Sequence, residues 1–253
     1  MRSALVTGAD SPTGLGRAFC RELARRGHAV AFTLRVPADP ATCDVLADEL
    51  RALGAPLAAG LAADLADPGE AEPLLAAAAD ALDGAGPLAV LVNNAAHSER
   101  DGYAALDADG IDAHLAVNAR APMLLSCGLA RALHALPEGR RPAGRIVNVV
   151  SGQFLGPMPG ELAYTASKGA LEAFTRQLSA EVAHLGITVN AIGPGPNDTG
   201  WIDDELRAAL LPRFPAGRVG RPEDVAPLVG WLCSEEAAWV TGQVIHAEGG
   251  FLR

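Results

Sequence analysis

The sequence predicts an α/β protein: a Rossmann-like doubly wound parallel sheet of about seven strands with helices on both faces. Three observations predict this fold. Short apolar runs alternate with longer helical patterns along the whole chain. The runs are almost continuously hydrophobic, as expected for strands that are covered on both faces. Because no Pro/Gly/Ser-rich linker and no shift in composition divides the sequence, we expect a single domain over residues 1–253.

Each predicted element follows from this alternation. The expected strands are residues 3–7, 28–34, 56–64, 88–93, 145–150, 187–192 and 243–247. The alanines of the third run fit a helix as well, but the alternation requires a strand there. Helical patterns occupy residues 17–27, 71–81, 107–135 and 161–185. Residues 193–221 are rich in Pro and Gly and are predicted to form a flexible substrate flap, with a plain surface loop as the alternative.

Composition and charge exclude several classes of function. The net charge is -10 and no basic stripe is present, which argues against nucleic-acid binding. No apolar run reaches about 18 residues, so no membrane contact is expected. Met1 and Arg2 lead directly into the first apolar run, which leaves no room for a signal peptide. The four cysteines are widely spaced, so we expect buried apolar thiols and neither a disulfide nor a metal site. Free thiols are typical of a reducing compartment, so a cytoplasmic protein is predicted.

A glycine-rich turn follows the first predicted strand and precedes a helix. Glycines at this junction allow a tight turn and bring backbone N–H groups and the helix N-terminus close to a pyrophosphate. The turn therefore predicts dinucleotide binding. The predicted cofactor contacts in the turn are Gly8, Asp10, Ser11, Gly14, Leu15 and Gly16.

The end of the second predicted strand indicates which dinucleotide is bound. An Asp or Glu at this place would accept from the ribose hydroxyls and repel a 2′-phosphate, but the chain has Leu34 followed by Arg35. A guanidinium favours a 2′-phosphate, and Arg17 could add charge. The sequence therefore favours NADP(H), with NAD(H) possible; the alternative reading of Arg35 is a solvated loop arginine.

The stretch "YTASK" carries the chemistry. Among the 20 Lys and Arg residues, Lys168 is the only lysine, and it lies four residues after Tyr164 on a predicted helix. Residues at this spacing project from one helix face. A phenol is a poor base until a cation stabilises its ionised form, and a compact ammonium can also pass protons to water. The pair therefore predicts acid/base chemistry.

These motifs together resemble the short-chain dehydrogenase/reductase family, and the resemblance covers essentially the whole chain. Its elements are the glycine turn, Asn93-Asn94-Ala95-Ala96, Asn118, Ser151, "YTASK" and Pro194-Gly195. The pattern is most similar to the 3-oxoacyl-[acyl-carrier-protein] reductase branch. The resemblance implies an NADP(H)-dependent reductase acting on a ketone or 3-oxoacyl-type carbonyl, which is a small molecule or an acyl thioester. It also implies a homotetramer, or a homodimer, because the family pairs the helices at 107–135 and 161–185 between subunits.

The resemblance also implies roles for individual residues. Tyr164 would be the acid/base, and Ser151 would hold the substrate carbonyl oxygen. Lys168 would bind the nicotinamide ribose and lower the pKa of the phenol, and Asn118 would hold a water that links Lys168 to solvent. The remaining implied cofactor contacts are Asp64 and Leu65 near the adenine, Asn93 and Ala95 near the ribose, and Pro194, Gly195, Asn197 and Thr199 near the nicotinamide carboxamide.

The chain departs from the family pattern in ways that affect its substrate and cofactor pockets. The glycine turn has two extra residues between Gly8 and Gly14, and Ala96 replaces the usual glycine. Pro196 and Trp201 lie at the start of the flap and are predicted substrate contacts. Phe154 is a third predicted substrate contact. Together with Leu155 and Met158 it forms either an apolar wall of the substrate pocket or the packing of the loop after Ser151. His97 is read as a loop histidine with possible substrate contact.

Other interpretations are weaker. A carrier-protein partner would require a basic patch near the entrance, and the candidate, Arg140-Arg141-Arg145, also fits a solvated loop. A specialised pathway on a polyketide or sugar-like carbonyl, with NAD(H), remains open. A hydrolase with Ser151 as nucleophile would require the G-x-S-x-G elbow, but Val149 occupies the glycine position. A non-catalytic dinucleotide-binding subunit is disfavoured because the Tyr, Lys and Ser set is intact.

Overall fold

The computed structural model describes residues 2–252, and within them seven parallel strands form one sheet in the order β3-β2-β1-β4-β5-β6-β7. The strands are β1 (Ser3–Val6), β2 (Ala29–Arg35), β3 (Ala58–Ala63), β4 (Leu88–Asn93), β5 (Arg145–Val149), β6 (Thr188–Gly193) and β7 (Val244–His246). The doubly wound fold predicted from the sequence is confirmed. The third run is a strand, and it pairs with β2 from Ala58 to Ala63.

The helices cover both faces of the sheet. They are α1 (Leu15–Arg25), α2 (Pro40–Ala52), α3 (Ala71–Ala81), α4 (Ala108–Leu115), α5 (Ala121–Ala135), α6 (Leu162–Val182), α7 (Asp204–Leu210) and α8 (Pro222–Leu232). Short 3₁₀ turns follow α5, α6 and α7, at Glu138–Arg140, Ala183–Leu185 and Leu211–Arg213 respectively. The helix expected over 107–135 is divided into α4 and α5 by a π-helical segment, Ala116–Arg120.

The apolar side chains of the central strands alternate between two cores. In β4, Val90 and Val92 pack with Phe19 of α1 and Val229 of α8. Leu91 instead faces the opposite core, with α3, α5 and α6. Each strand is therefore buried on both sides, which explains why its sequence reads as a continuous apolar run.

The strand order reverses between β1 and β4, and this point determines where a ligand can bind. The chain passes from β1 through α1 to β2 on one side, whereas β4, β5 and β6 extend in the other direction. In open α/β sheets the crevice beyond the carboxyl ends of the strands at such a reversal is the usual ligand site. The turn after β1 and the loops after β4, β5 and β6 all meet at this crevice.

The segment predicted to be a flap contains α7 and a small core of its own. Its apolar side chains Ile202, Phe214 and Val219 are buried together, and Phe251 packs against them. Mobility of residues 193–221 stays a prediction.

Two further sequence expectations concern membranes and cysteines. In the described part of the chain, no helix combines the length and hydrophobicity that a bilayer crossing requires. All four cysteines are free thiols. Cys20 and Cys233 are buried, but the expectation of burial is wrong for Cys43 and Cys127, which are half-buried.

Candidate active site

The glycine turn is held against the loop that follows β4. Gly8 has φ +76°, and a Cβ on it would lie 2.7 Å from Ala95 Cα. A Cβ on Gly16 would lie 2.1 Å from Gly8 O. Asn94 donates through Nδ2 to Thr7 O at 2.9 Å and to Gly8 O at 2.8 Å. Glycine is therefore required at both positions, and Asn94 fixes the turn.

Arg17 has a structural role in the same turn. Its Nε donates to Ala9 O at 2.9 Å and its Nη2 to Asp10 O at 3.3 Å. The side chain is buried. The expectation that Arg17 adds charge to a 2′-phosphate pocket is therefore wrong. Its guanidinium instead donates to the carbonyl oxygens of Ala9 and Asp10 in the turn.

A cleft of about 350 Å³ lies where the turn, the end of β2 and the loop after β4 meet. The predicted cofactor residues that line it are Gly8, Asp10, Ser11, Arg35, Asp64, Leu65 and Ala95. Sequence reasoning missed Thr33, Ala113 and Val117, which also line the cleft. Their residue types carry no ligand-binding signal, so only the folded structure, which brings β2, α4 and the π-helical segment to the cleft, reveals them.

A carboxylate, that of Asp10, lies at the end of β2, where the sequence predicted no acidic residue. Leu34 is buried, but Asp10 reaches from the enlarged turn to the end of β2, where its Oδ1 accepts from Arg35 N at 2.7 Å. The Arg35 residue is exposed. The end of the cleft beside β2 therefore presents one guanidinium and one carboxylate.

Lys168 and Tyr164 share a face of α6, beside the carboxyl end of β5. Lys168 is 1% exposed, and its Nζ donates to Val149 O at 2.8 Å. The same Nζ lies 5.8 Å from the centroid of the Tyr164 ring. Burial lowers the pKa of Lys168 to about 8. The two residues are therefore brought together as predicted.

The electrostatics of Tyr164 differ from the sequence expectation. Burial raises the pKa of its phenol to about 12, and a hydrogen bond with Ser151 opposes that shift without reversing it. The expectation that Lys168 lowers this pKa is corrected, because the ammonium is directed at Val149 O. Tyr164 is therefore a protonated phenol at neutral pH, in hydrogen-bond contact with Ser151.

The apolar residues after Ser151 separate into two groups. Ser151 Oγ lies 3.7 Å from Met158 Sδ, which places this thioether at the candidate site. Phe154 is 69% exposed, and its ring end lies 3.5 Å from the position that a Cβ on Gly169 would occupy. Contact between Phe154 and a substrate stays a prediction.

Asn118 lies in the π-helical segment and is fully buried. Its Oδ1 accepts from His97 N at 2.8 Å, and its Nδ2 donates to His97 O at 2.8 Å and Ser167 Oγ at 3.0 Å. It therefore holds the loop after β4 against α6. The π-helical break is a local irregularity of the kind found at functional sites. The predicted water link to Lys168 stays a prediction.

The side chain of Asn93 is buried at the carboxyl end of β4. It is 2% exposed, and its Nδ2 donates to Ser126 Oγ at 3.1 Å and Asn148 Oδ1 at 2.8 Å. The amide therefore belongs to a buried polar network between β4 and β5. Any contact of Asn93 with a ribose would have to come from its main chain.

The first residues of the flap are ordered by their own hydrogen bonds. Asn197 is 4% exposed, and its Nδ2 donates to Pro194 O at 2.6 Å and Gly195 O at 3.1 Å. Trp201 Nε1 donates to Asn197 O at 2.9 Å. These bonds bring together three of the predicted cofactor residues. The substrate roles of Pro196 and Trp201 stay predictions.

The flap also touches the enlarged glycine turn. Thr13, in the lengthened part of the turn, donates through Oγ1 to Thr199 O at 3.0 Å. The two extra residues therefore extend the turn across the crevice toward the flap.

The helix that carries Tyr164 is capped from outside. Asp101, in the loop after β4, accepts from Leu162 N at 2.5 Å and Ala163 N at 2.7 Å. These two main-chain hydrogen bonds hold the pKa of Asp101 below its usual value. Asp101 therefore fixes the start of α6 relative to the cleft. Sequence reasoning missed it because the cap is contributed by a distant part of the chain.

The basic cluster suggested for a carrier protein is not an entrance patch of this chain. Arg145 is 1% exposed and donates to Ser234 O at 3.0 Å. Arg141 donates to Leu133 O at 3.1 Å and so helps to terminate α5. The cluster also lies at the amino end of β5, whereas Ser151 follows its carboxyl end.

The residues present fit a bound dinucleotide. The glycine turn, held tightly at Gly8 and Gly16, borders a cleft of about 350 Å³ that the turn, the end of β2 and the loop after β4 line. Within the described residues, the buried Asn197 Oδ1 also has no hydrogen-bond partner, so it is free to accept from a ligand amide. A glycine turn at the sheet reversal, together with Ser151, Tyr164 and Lys168, is the arrangement of a dinucleotide-dependent oxidoreductase.

Comparisons with known proteins agree with this arrangement. A family model described as "Enoyl-(Acyl carrier protein) reductase" matches residues 8–252. "Uncharacterized oxidoreductase YjdA" of Bacillus subtilis (strain 168) is 47% identical over 250 residues, which are 99% of this chain and 96% of that protein. "3-oxoacyl-[acyl-carrier-protein] reductase FabG" of Vibrio cholerae serotype O1 is 33% identical over 253 residues, covering 98% of this chain and 96% of that protein.

A solved structure is similar over the same extent. It is described as "Promiscuous Reductase LugOII Catalyzes Keto-reduction at C1 during Lugdunomycin Biosynthesis", with a TM-score of 0.85 and 33% identity, and it covers 98% of this chain and 96% of that chain. The chain therefore belongs to the short-chain dehydrogenase/reductase family of oxidoreductases.

Proposed function

We propose that this oxidoreductase is an NADP(H)-dependent reductase that converts a ketone or 3-oxoacyl-type carbonyl to a secondary alcohol. The observation that carries the proposal is the convergence of Tyr164, Lys168 and Ser151 at the carboxyl end of β5: Lys168 Nζ lies 5.8 Å from the Tyr164 ring centroid and donates to Val149 O at 2.8 Å, two residues before Ser151. Burial keeps the Tyr164 phenol protonated by raising its pKa. A group that is protonated at neutral pH is suited to donate a proton, as reduction of a carbonyl requires.

Each residue of the set has a step in this reaction. The Ser151 hydroxyl donates a hydrogen bond to the carbonyl oxygen and polarises the bond. Tyr164 gives its proton to the same oxygen as negative charge develops there. A bound nicotinamide dinucleotide supplies the hydride. Lys168, whose pKa burial lowers to about 8, is suited to help return a proton to Tyr164 after the transfer.

The cofactor residues are proposed on the lining of the cleft. Of the lining residues, Gly8 and Ser11 would lie against the pyrophosphate, and Asp64 and Leu65 against the adenine. Gly16, at the start of α1, would approach the pyrophosphate from the helix N-terminus. Asn197 and Thr199 would hold the carboxamide. The Arg35 guanidinium supports a 2′-phosphate and therefore NADP(H).

One observation favours NAD(H) as a second candidate. The Asp10 carboxylate lies beside Arg35 and could accept from a ribose hydroxyl while repelling a 2′-phosphate. We retain NADP(H) because Arg35 is exposed and Asp10 is already bonded to a main-chain N–H.

The relatives support the substrate class, and exposed leucines on two helices support the assembly. Relatives described as a 3-oxoacyl-[acyl-carrier-protein] reductase and as a keto-reductase both act on carbonyl groups, in agreement with the proposed substrate. Leu115 and Leu124, on α4 and α5, are each 37% exposed, which supports burial between subunits of a homotetramer or homodimer. Four free thiols support a reducing, cytoplasmic location.

The test is a panel of ketones and 3-oxoacyl thioesters assayed with purified protein. Oxidation of NADPH and NADH is followed separately by absorbance, with Tyr164→Phe as the inactive reference. We expect carbonyl-dependent oxidation of NADPH by the wild type only. Equal rates from the wild type and Tyr164→Phe would refute the proposed function, and a strong preference for NADH would refute its cofactor assignment.

A further inference from the structure

Gln153 connects the loop that carries Ser151 to a buried carboxylate on α6. Its Oε1 accepts from Ser151 N at 3.1 Å, and its Nε2 donates to Glu172 Oε2 at 2.7 Å. Glu172 lies one helical turn beyond Lys168 and is 4% exposed. Its other oxygen accepts from Arg176 Nη2 at 2.6 Å. A continuous chain of hydrogen bonds therefore runs from the Ser151 main chain to the exposed Arg176.

The chemistry of this chain requires an amide at position 153. A main-chain N–H only donates and a carboxylate only accepts, so the side chain between them must offer one acceptor and one donor. Gln153 provides both. A carboxylate would lack the donor, and a methionine of similar length would offer neither a matching donor nor a strong acceptor.

The residue before Ser151 is held to β6, because Val150 N donates to Ile192 O at 2.9 Å. Residues 151–161 beyond it form no helix or strand, and Gln153 supplies the acceptor for the Ser151 main-chain N–H. The Ser151 hydroxyl has two neighbours, the Tyr164 phenol and Met158 Sδ at 3.7 Å, and the thioether is a weak acceptor. Both contacts require the Ser151 main chain to be held in place, because it determines where the hydroxyl lies.

We propose that Gln153 is a positioning residue for Ser151, and that the buried Glu172 holds Gln153 in place. The inference rests on the proposed function, because it assumes that Ser151 binds the carbonyl oxygen. Burial of the Glu172 carboxylate supports it, since a buried charge must be hydrogen-bonded and therefore restricts the group that bonds to it. Neither Gln153 nor Glu172 is required to touch the substrate.

The first test is Gln153→Met, with Gln177→Met on the exposed face of α6 as the matched control. We expect kcat to fall roughly tenfold to a hundredfold, because small displacements of a catalytic group have effects of that size. The dissociation constant for NADPH, measured by fluorescence titration, should not change. Glu172→Gln keeps an acceptor for Gln153 and should retain kcat within about threefold.

The second test separates positioning from general damage. Gln153→Glu places two carboxylates against each other, so its kcat should be highest at low pH, where they share a proton, and should fall as the pH rises. Adding Glu172→Gln restores one donor and one acceptor, and the double variant should regain activity without this pH dependence. General damage to the loop would not be repaired by the second substitution.

The outcomes distinguish the two proposals. Wild-type kcat in Gln153→Met, with Ser151→Ala inactive, would overturn the role of Gln153 and leave the proposed function intact. If Gln153→Met does not fold, the double variant decides. A double variant of Gln153→Glu and Glu172→Gln whose kcat is no higher than that of Gln153→Glu alone overturns the inference. A wild-type protein that reduces no carbonyl with either dinucleotide overturns both proposals together.

Discussion

The Lys168 ammonium donates to Val149 O at 2.8 Å, from the catalytic helix to the last residue of β5. This hydrogen bond ties α6 to the strand that leads directly to Ser151. The position of the ammonium is therefore set by the same strand end that sets the candidate catalytic serine. The geometry suits a compact cation in a pocket closed to water.

Lys168→Arg is expected to abolish turnover almost completely while the protein stays folded. The residue is 1% exposed, and the broad planar guanidinium does not fit a pocket shaped around an ammonium. Steady-state kcat and circular dichroism measure the two effects. Arg131→Lys, on an exposed arginine of α5, is the control for a change between the same two residue types. A wild-type kcat in Lys168→Arg would contradict the requirement for an ammonium.

Lys168 should also leave a signature in the dependence of stability on pH. Its folded-state pKa of about 8 lies below the ordinary value of 10.5. Between these values the unfolded chain binds more protons than the folded one, so stability rises as the pH increases through this window. Across this window the free energy of unfolding should rise by up to about 3 kcal/mol because of Lys168.

The corresponding measurement is urea unfolding of the wild type and Lys168→Met from neutral pH to about pH 10. The stability of the wild type relative to the variant should improve with rising pH. Because the pKa of Tyr164 is raised to about 12, its opposing effect begins only near the top of this range. A difference that stays constant with pH would contradict the buried, charged lysine.

Asp101→Ala is expected to lower both the melting temperature and kcat. The substitution leaves Leu162 N and Ala163 N without their acceptor and loosens the start of α6. Asp112→Ala, on the exposed surface of α4, is the control. The stabilising effect of Asp101 should be present above pH about 4 and lost as the pH falls through its lowered folded-state pKa. An unchanged melting temperature would show that the cap contributes nothing.

Arg35→Ala and Asp10→Asn should change cofactor preference in opposite directions. Loss of the guanidinium should reduce kcat/KM for NADPH roughly tenfold or more and leave NADH little affected, since a charged hydrogen bond contributes about that much. Removing the Asp10 charge should improve NADPH, because it relieves repulsion of a 2′-phosphate. The ratio of kcat/KM for the two dinucleotides is the measurement. If Arg35→Ala leaves this ratio unchanged, Arg35 is the solvated loop arginine considered from the sequence.

Much of the fold follows from local signals. The strands were predictable because burial on both faces leaves runs that are nearly all apolar, as in β4 from Leu88 to Asn93. Tyr164 and Lys168 could be predicted as a pair because helical spacing alone brings residues four apart to one face. Such features depend on neighbours in the sequence.

Other features depend on contacts between distant residues, and these could not be predicted. The Asp101 cap on α6 and the approach of Asp10 to Arg35 are set by how loops meet in the fold. The direction of the pKa shift of Tyr164 was missed for the same reason. Spacing places Lys168 near the phenol but does not reveal that burial dominates or that Val149 O takes the ammonium.

The hydrogen bond from Thr13 to Thr199 joins parts of the chain that are 186 positions apart. If the predicted flap swings outward at Thr199, this bond has to break first, so the lengthened turn would oppose that movement. Release of the proposed cofactor would then depend on two threonines that take no part in the reaction. A chain with a shorter glycine turn would lack this hydrogen bond to the flap.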